Sequence, residues 1–405
     1  LSFVRTAYKC RAYPTPEKAA VLSRTLGCVR LVWNKTLSER TRRYHTENAP
    51  TSHRGTSATL TTRRRGEELA FLSEVSCVPL QQTLRHQQAA FQNFFSGRTR
   101  YPRFKSRTAR QSAHHTRSAF RMRDGSLVLA KTSSPLRFIW SFSHIDVTEL
   151  DPTTVIASRE PDGPWYVSFA MDVPKPAVPQ PTSRAIGLDL GLATFLTTSD
   201  SVRIATPRNL ARKARSLARH QRGLARCQRG SNNRHKAKAE VARTHRKVRN
   251  ARRDFLHRTS TALVRSADMV AVEDLNVAGT VRNRRLSRAI SDAGRGEFRR
   301  QLEYKCERAG RTLVVIDRWY PSSKTCSNCE YLLVESKLSA RHWTCPSCRT
   351  RRDRDFNAAK NILAAGRAVA RDAPGDACGA DVRRQGSPLP RSVVEQEARG
   401  RSSGS

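Results

Sequence analysis

Acidic residues are scarce in this sequence of 405 residues: 34 Asp and Glu stand against 75 Lys and Arg, which leaves a formal net charge of +41. The sequence has no apolar run near the ~18 residues that a membrane-spanning helix needs. Its first 14 residues carry three basic residues and no apolar segment typical of a signal peptide. Since 38% of the residues are hydrophobic, the chain can still bury a core. These features predict a soluble, cytoplasmic protein.

A positive excess of this size indicates a polyanionic partner. Nucleic acid is favoured over an anionic membrane surface, because the charge is spread along the whole chain and is not confined to one amphipathic helix. The composition therefore predicts a protein associated with the nucleoid.

Four of the ten cysteines follow a pattern. They form two CxxC pairs separated by fifteen residues: Cys326, Cys329, Cys345 and Cys348. This spacing is typical of a four-thiolate zinc site, and disulfides are disfavoured in a reducing cytosol. Because protein ligands fill all four positions, the predicted Zn²⁺ is structural. The other six cysteines are single, and we interpret them as ordinary buried or surface residues.

Residues 14–112 show helical periodicity, with Thr15 as a good N-cap and Pro16 at the first helical position. An aromatic and basic segment then breaks the helices, and its residues Tyr101, Phe104 and Lys105 are candidates for nucleic-acid contact. Aromatic rings beside cationic side chains can stack on bases while phosphates are bound. The alternative, that Tyr101 and Phe104 simply belong to the core, stays open. We expect the preceding phenylalanines to be core residues: Phe91, Phe94 and Phe95.

Residues 113–175 show the pattern of β-structure. Asp124-Gly125 predicts a hairpin turn, and apolar residues alternate from position 165 to position 173. The first 13 residues alternate in the same way. We predict a small β-barrel or sandwich into which the helical region is inserted.

A proline-rich linker at 176–182 leads to a strongly basic stretch, in which residues 208–253 hold 17 Lys and Arg and a single acid, Glu240. Arginines recur in steps of three and four, opposite leucines spaced by seven, as on two faces of a helix. A charged run is often only a solvated face, but self-repulsion without compensating acids favours a phosphate backbone as partner. The candidate contact residues are Arg212, Arg215, Arg219, Arg222 and Arg226.

Three acids stand out at the ends of predicted elements. Asp189 and Glu273 follow apolar strands, and Asp355 is expected to cap a helix. A folded sheet could gather them, and three carboxylates are ligands that Mg²⁺ or Mn²⁺ prefers. Two such ions can activate water and stabilise the leaving oxygen of a phosphodiester. The alternative for each acid is a salt bridge to a nearby arginine.

A long basic helix is also predicted between Ser291 and Ala309.

Several motifs together resemble the TnpB family, the transposon-encoded proteins also called OrfB transposases and related to the type V CRISPR nucleases. They are YPTPE at 13–17, GLDLG at 187–191, NARRDFLH at 250–257, SDAG at 291–294, EF at 297–298 with QLEYK at 301–305, PSSKTC at 321–326 and DRDFNAA at 353–359. Arg295 departs from the family, which usually has Trp there. Glu330 and Arg349 replace the usual glycines after each CxxC pair, a position that often needs a positive φ.

The resemblance implies an α/β nuclease domain of the RuvC type, with the RNase H-like fold and an inserted zinc finger. It also implies a wedge-like β-barrel domain with an inserted helical recognition domain. By motif match, Asp189, Glu273 and Asp355 correspond to the family's catalytic, Mg²⁺-binding acids. Asp353, two residues before Asp355, is the second candidate for the third acid. The implied partners are a guide RNA from the transposon end and a double-stranded DNA target, in a monomeric ribonucleoprotein.

The predicted domain boundaries follow from the patterns and the resemblance together. They are a wedge-like β-domain at 1–13 and 113–175, a helical recognition domain at 14–112, the linker at 176–182, a RuvC-like domain at 183–370 with its zinc finger at 320–352, and a flexible tail at 371–405.

The predicted function is RNA-guided cleavage of double-stranded DNA. Two alternatives stay open: a transposase that transfers DNA strands without a guide, and a nuclease-inactive, RNA-guided DNA-binding repressor. The fold alone cannot separate them, because one fold serves several chemistries.

Overall fold

The computed structural model describes residues 3–142, 145–174, 179–274, 287–333 and 341–372. Most of the predicted tail, 373–405, and part of the predicted linker, 176–178, lie outside these residues. The described chain divides into two compact units. One contains residues 1–175 and 214–247, and the other contains residues 176–213 and 248–405.

The helices of the first unit follow the predicted periodicity. They are α1 (Pro16–Glu47), α2 (His53–Arg65) and α3 (Cys77–Phe95), with a 3-10 helix at Glu67–Ser73. The side chain of Thr15 accepts a hydrogen bond from the backbone N–H of Lys18, which confirms the predicted N-cap. Phe91 is buried as expected, but Phe95 is 77% exposed. The core prediction for Phe95 is wrong, because Phe95 lies at the last residue of α3, where the helix ends at the surface.

The same unit contains an antiparallel sheet in the order β2-β6-β7-β1-β5, with a separate hairpin β3-β4. Its strands are β1 (Phe3–Ala12), β2 (Gln111–Thr116), β3 (Phe120–Arg123), β4 (Ser126–Leu129), β5 (Phe138–Ile139), β6 (Thr154–Arg159) and β7 (Trp165–Pro174). The turn at Asp124-Gly125 is confirmed, since Arg123 pairs with Ser126 and both turn residues have positive φ. Alternation along β7 buries Val167, Phe169 and Met171.

The second unit is built on a mixed sheet in the order β10-β9-β8-β11-β12, in which β8, β11 and β12 are parallel. The strands are β8 (Ala185–Asp189), β9 (Thr194–Thr198), β10 (Arg203–Ala205), β11 (Met269–Glu273) and β12 (Thr312–Ile316). A two-stranded ribbon follows, formed by β13 (His342–Thr344) and β14 (Arg351–Asp353). Central strands of a parallel sheet are covered on both faces. Accordingly, Ile186, Leu188, Val270 and Val272 are buried on one face, and Ala271 is buried on the other.

The remaining helices are α4 (Asn209–Arg226), α5 (Asn232–Ser266), α6 (Ser287–Ala293), α7 (Arg295–Ala309) and α8 (Arg354–Arg371). The prediction of one helix between Ser291 and Ala309 is wrong, because the chain breaks at Gly294. This glycine has φ 69° and forms the N-cap of α7, and a left-handed residue cannot continue a right-handed helix.

The ends of α4 and α5 that face their connecting turn belong to the first unit. Arg234 donates to the carbonyl oxygen of Leu224, in the last turn of α4, and to that of Cys227, the residue directly after the helix. Arg246 of α5 donates to the buried carboxylate of Asp162 at 2.6 Å. These contacts hold the helical turn against the loop between β6 and β7.

Candidate metal centres

Two of the predicted acids lie side by side on neighbouring parallel strands. Leu188 of β8 pairs with Val272 of β11, so the next residues, Asp189 and Glu273, both end their strands at the same edge of the sheet. Parallel strands expose their carboxyl ends at one edge. The fold therefore brings together two residues that are 84 positions apart in sequence.

Helix α8 brings the third acid to this edge by crossing directly over β8. A Cβ at Gly187 would lie 2.1 Å from the carbonyl oxygen of Ala359, so only glycine allows this approach. Gly366 repeats the arrangement farther along α8, where a Cβ would lie 2.5 Å from the Cβ of Ala271. Asp355 precedes Ala359 by about one helical turn, and its charge acts on Asp189 at the end of β8.

The electrostatics show that the three carboxyl groups interact. Burial, with a smaller contribution from the charges of Asp355 and Glu273, raises the pKa of Asp189 to about 7, although the charges of Arg295 and Arg354 oppose this rise. Burial also raises the pKa of Glu273. The carboxyl groups of Asp189 and Glu273 are thus poorly solvated, and the nearby positive charges only partly offset the cost of ionising them.

This donor set fits a hard divalent cation, since carboxylate oxygens are the ligands that Mg²⁺ and Mn²⁺ prefer. The carboxylate oxygens of the three acids do not all lie within 4.8 Å of one another, in contrast to the cysteine sulfurs described below. The group is therefore wider than a closed, single-ion cage.

Asp353, the second candidate for the metal-binding acid on this helix, has a different role. The expectation that Asp355 caps the helix is wrong. Asp353 is the N-cap of α8, where its carboxylate accepts hydrogen bonds at 3.1 Å from the N–H groups of Asp355 and Phe356. It also pairs with Arg203. Although burial opposes this, the bonds from Arg203 and Phe356 hold the pKa of Asp353 below its usual range. Asp353 fixes the start of α8, and Asp355 follows in the first turn.

Two arginines beside the acids were not predicted as site residues. The Nη1 atom of Arg341 lies 3.6 Å from the Oδ1 atom of Asp355. The charge of Arg295 acts on both Asp189 and Glu273. Neither arginine is distinguished by spacing in a sequence with 75 basic residues, so only the tertiary structure identifies them.

The four predicted cysteines come together as free thiols. The sulfurs of Cys326 and Cys348 are 3.7 Å apart, and those of Cys329 and Cys345 are 3.5 Å apart. A tetrahedron of sulfurs about 2.3 Å from a zinc ion has edges of roughly 3.8 Å. The cluster therefore has the dimensions of a closed four-thiolate zinc site.

The two CxxC segments adopt the same turn. Glu330 donates its N–H to the carbonyl of Cys326 at 2.9 Å, and Arg349 donates to the carbonyl of Cys345 at 2.9 Å. Glu330 has φ 60° and Arg349 has φ 56°. Both residues therefore occupy the left-handed conformation expected from the sequence, which glycine adopts at lower cost.

The cysteine loop is bound directly to the helix that carries Asp355. The amide groups of Asn357 and Asn361 both donate to the carbonyl oxygen of Thr325 at 2.6 Å. The Oδ1 atom of Asn357 accepts the N–H of Ser327 at 2.9 Å. Both asparagines are buried, so the position of the loop and the position of α8 depend on each other.

Comparison with known proteins places this arrangement in a family. Residues 168–284 match the OrfB_IS605 model, described as "Probable transposase". Residues 296–362 match the TNB domain of Cas12f1-like proteins, and residues 2–49 match the helix-turn-helix domain of the OrfB_IS605 group. A relative from Streptomyces pristinaespiralis, named "Putative RNA-guided DNA endonuclease", is 48% identical over 97% of this chain and 96% of its own length. The chain belongs to the TnpB family.

Other comparisons agree with TnpB membership. The Escherichia coli K12 protein named "Putative RNA-guided DNA endonuclease InsQ" is 30% identical over 96% of this chain and 97% of its own length. Cas12f1, solved in a complex with guide RNA and target DNA, aligns with a TM-score of 0.53 at 13% identity and covers 89% of this chain and 99% of its own. At that identity the likeness shows a shared Cas12-like fold.

The predicted arginine face of this TnpB protein lies on α4. Leu217, on the other side of the helix, is buried. The five candidate arginines are all exposed, and no carboxylate in the described parts of the chain pairs with any of them: Arg212, Arg215, Arg219, Arg222 and Arg226. Among the described residues, no helix is long and apolar enough to cross a membrane.

The aromatic candidates divide between packing and exposure. Tyr101 packs edge-on against Phe91 and Phe94, and its hydroxyl group lies 2.7 Å from that of Thr41. Phe104 is 63% exposed. The ammonium group of Lys105 lies 4.2 Å from the ring centroid of Trp33, and burial lowers its pKa. Phe104 is therefore the more available of the two rings for a ligand.

Proposed function

We propose that this protein is an RNA-guided DNA endonuclease of a transposable element, which hydrolyses double-stranded DNA at a RuvC-like site formed by Asp189, Glu273 and Asp355. The observation that supports the proposal is that the buried carboxylates of Asp189 and Glu273 end neighbouring parallel strands, β8 and β11, beneath the helix α8, whose first turn carries Asp355. The names of the full-length relatives support the reaction and the guide.

Asp189, Glu273 and Asp355 would hold Mg²⁺ or Mn²⁺. Such ions supply an activated water and stabilise the leaving oxygen of a phosphodiester. The protein places the three ligands: the β8–β11 register positions Asp189 and Glu273, and the close approach at Gly187 positions Asp355. Asp353 and Arg203 hold the first turn of α8 in place.

The four thiolates would hold Zn²⁺ with no position left open for water, so this ion is structural. The bonds from Asn357 and Asn361 transmit that stability to α8. Zinc in this loop therefore supports the catalytic acids without taking part in hydrolysis.

The guide RNA and the target DNA would be bound largely through their phosphates. The exposed arginines of α4, with no acid to neutralise them, form a continuous cationic face of the kind that follows a backbone without reading bases. Base pairing with the guide then supplies the sequence specificity. The net charge of +41 is consistent with long phosphate tracks.

The domain roles are proposed in the same terms. Residues 183–370 would be the RuvC-like nuclease domain of RNase H-like fold, with the zinc finger at 320–352. The antiparallel sheet of the first unit would be the wedge-like barrel, and the helices within 14–112 would be the recognition domain. The parallel sheet with acids at its carboxyl ends supports the first assignment.

The test is cleavage of a plasmid target by the full chain assembled with RNA transcribed from its own locus. We expect Mg²⁺-dependent double-strand cleavage that Asp189→Asn abolishes. The control Asp254→Asn removes an exposed acid of the second unit, which pairs with Arg258, and should cut normally. No cleavage by the wild-type complex, or cleavage undiminished by Asp189→Asn, contradicts the proposal.

The same preparation separates the alternatives. A guide-independent transposase would copurify without a defined RNA and would act on DNA strands in the absence of any transcript. A nuclease-inactive repressor would bind the guided target without cutting it. Sequencing the copurified RNA and assaying cleavage together therefore distinguish all three functions.

A further inference from the structure

One face of α7 lies over the end of β11. Arg299 bonds to Glu303 at 3.0 Å and pairs with Asp274, the residue directly after Glu273. Phe298 packs against Phe195 of β9 with ring centroids 5.0 Å apart. Residues four apart share a helix face, so Arg295 lies one turn before Arg299 on that face and points to the edge that carries the acids.

The environment of Arg295 is unusual for a cation. Its Nε atom is buried and has no hydrogen-bond partner among the described residues, and its guanidinium forms no ion pair within 4 Å there. Burial lowers the pKa of Arg295, while the charges of Asp189 and Glu273 oppose that shift. The guanidinium thus faces two of the three acids without being bound to either.

We propose that Arg295 is a resident counter-cation of the carboxylate group, which competes with the divalent ion for Asp189 and Glu273 and weakens its binding. The proposal rests on the metal site of the proposed function. A fixed positive charge in a partly buried site repels an incoming cation strongly, because the effective dielectric constant is well below that of water. Removing this charge, with the acids intact, must make the divalent ion bind more tightly.

The test is the binding of Mn²⁺ to the zinc-loaded full chain without nucleic acid at pH 8.5. Binding is measured from the electron paramagnetic resonance signal of the Mn²⁺ that stays free. We compare the wild type with Arg295→Met and Arg295→Lys. Each of the three proteins is also measured with Asp189→Asn added, and the binding lost on that addition is the binding at the acids. Arg300→Met is the matched control, since Arg300 is an exposed arginine of the same helix paired with Glu297.

We expect Arg295→Met to lower the Asp189-dependent Mn²⁺ Kd by roughly tenfold or more, while Arg295→Lys and Arg300→Met stay near the wild type. A misfolded variant cannot gain affinity, so this direction excludes a merely structural effect. Asp189-dependent binding of equal strength in wild type and Arg295→Met overturns this inference and leaves the proposed function standing. Absence of Asp189-dependent binding in both overturns the metal site and the inference together.

Discussion

Replacing Gly187 with alanine tests whether the close approach of α8 to β8 creates the acid site. The added Cβ would lie 2.1 Å from the carbonyl oxygen of Ala359, 2.7 Å from the N atom of Leu363 and 2.8 Å from its Cβ. Two of these are backbone atoms, so no side-chain rotation can relieve the clash. Ordinary van der Waals contact begins near 3.4 Å. Because the added Cβ would lie only 2.1 Å from the carbonyl oxygen of Ala359, α8 must move away from β8 by about 1.3 Å at this point.

The consequences follow from the position of Asp355 on that helix. Overpacking of this kind typically costs about 1–3 kcal/mol of unfolding free energy. A displacement of about 1 Å in a catalytic group can cost roughly 10²-fold in rate. We therefore expect Gly187→Ala to melt at a lower temperature and to cleave at least about 100-fold more slowly, although all three acids are retained.

The assays are thermal unfolding, Mn²⁺ binding and guided plasmid cleavage, with Gly296→Ala as control. Gly296 is exposed in the same unit, and within the described parts of the chain no atom outside its own helical turn and its two chain neighbours lies within 4 Å of the position its Cβ would take. The control should keep wild-type cleavage. If Gly187→Ala also keeps wild-type Mn²⁺ affinity and cleavage, the helix does not position Asp355 and the argument for a gathered triad is refuted.

Other predictions concern the cysteine loop and a buried histidine. Cys345→Ser should lose the bound zinc, measured as metal content, and several kcal/mol of stability, since structural zinc binding is worth roughly 10–16 kcal/mol in small peptides. The double variant Glu330→Gly, Arg349→Gly should need a higher chelator concentration to extract zinc. Each substitution removes a backbone strain of about 1 kcal/mol, because glycine adopts a positive φ without the steric cost of a Cβ. Easier extraction would contradict this. Burial lowers the pKa of His115 from 6.5 to about 4. As the pH falls, His115 is therefore protonated in the unfolded chain before it is protonated in the folded protein. The stability that neutral His115 contributes is complete above about pH 6.5 and is lost as the pH falls toward 4. Urea unfolding at pH 7 and pH 4.5 should show a loss of roughly 2 kcal/mol that His115→Gln lacks; equal losses in both proteins would count against it.

Local patterns in the sequence predicted the features that neighbouring residues decide. The N-cap at Thr15, the turn at Asp124-Gly125 and the alternation along β7 all depend on contacts within a few positions. The positive φ angles at Glu330 and Arg349 belong to the same class, because the CxxC turn imposes them whatever residue is present.

Chain pairing decided what the patterns could not. Asp353 and Asp355 both suit a helix N-cap, but the pairing of β14 with β13 ends at Asp353, so α8 begins there and Asp353 is the N-cap. Asp355 then lies in the first turn, where its charge acts on Asp189. In the same way, the left-handed Gly294 broke a helix that had been predicted to be continuous.

Which chemical groups are available follows from the residues alone: three acids in a basic chain, four thiols at zinc spacing, and a helix with arginines on one face. Which of these groups come together depends on the fold. The fold brings the charge of Arg295 close enough to act on Asp189 and Glu273, and it binds the cysteine loop to α8. The difference lies in the range of the interactions: helix caps, turns and helix faces are governed by residues a few positions apart. The distance between two side chains 84 positions apart is governed by strand register and by how closely a helix can pack on a glycine.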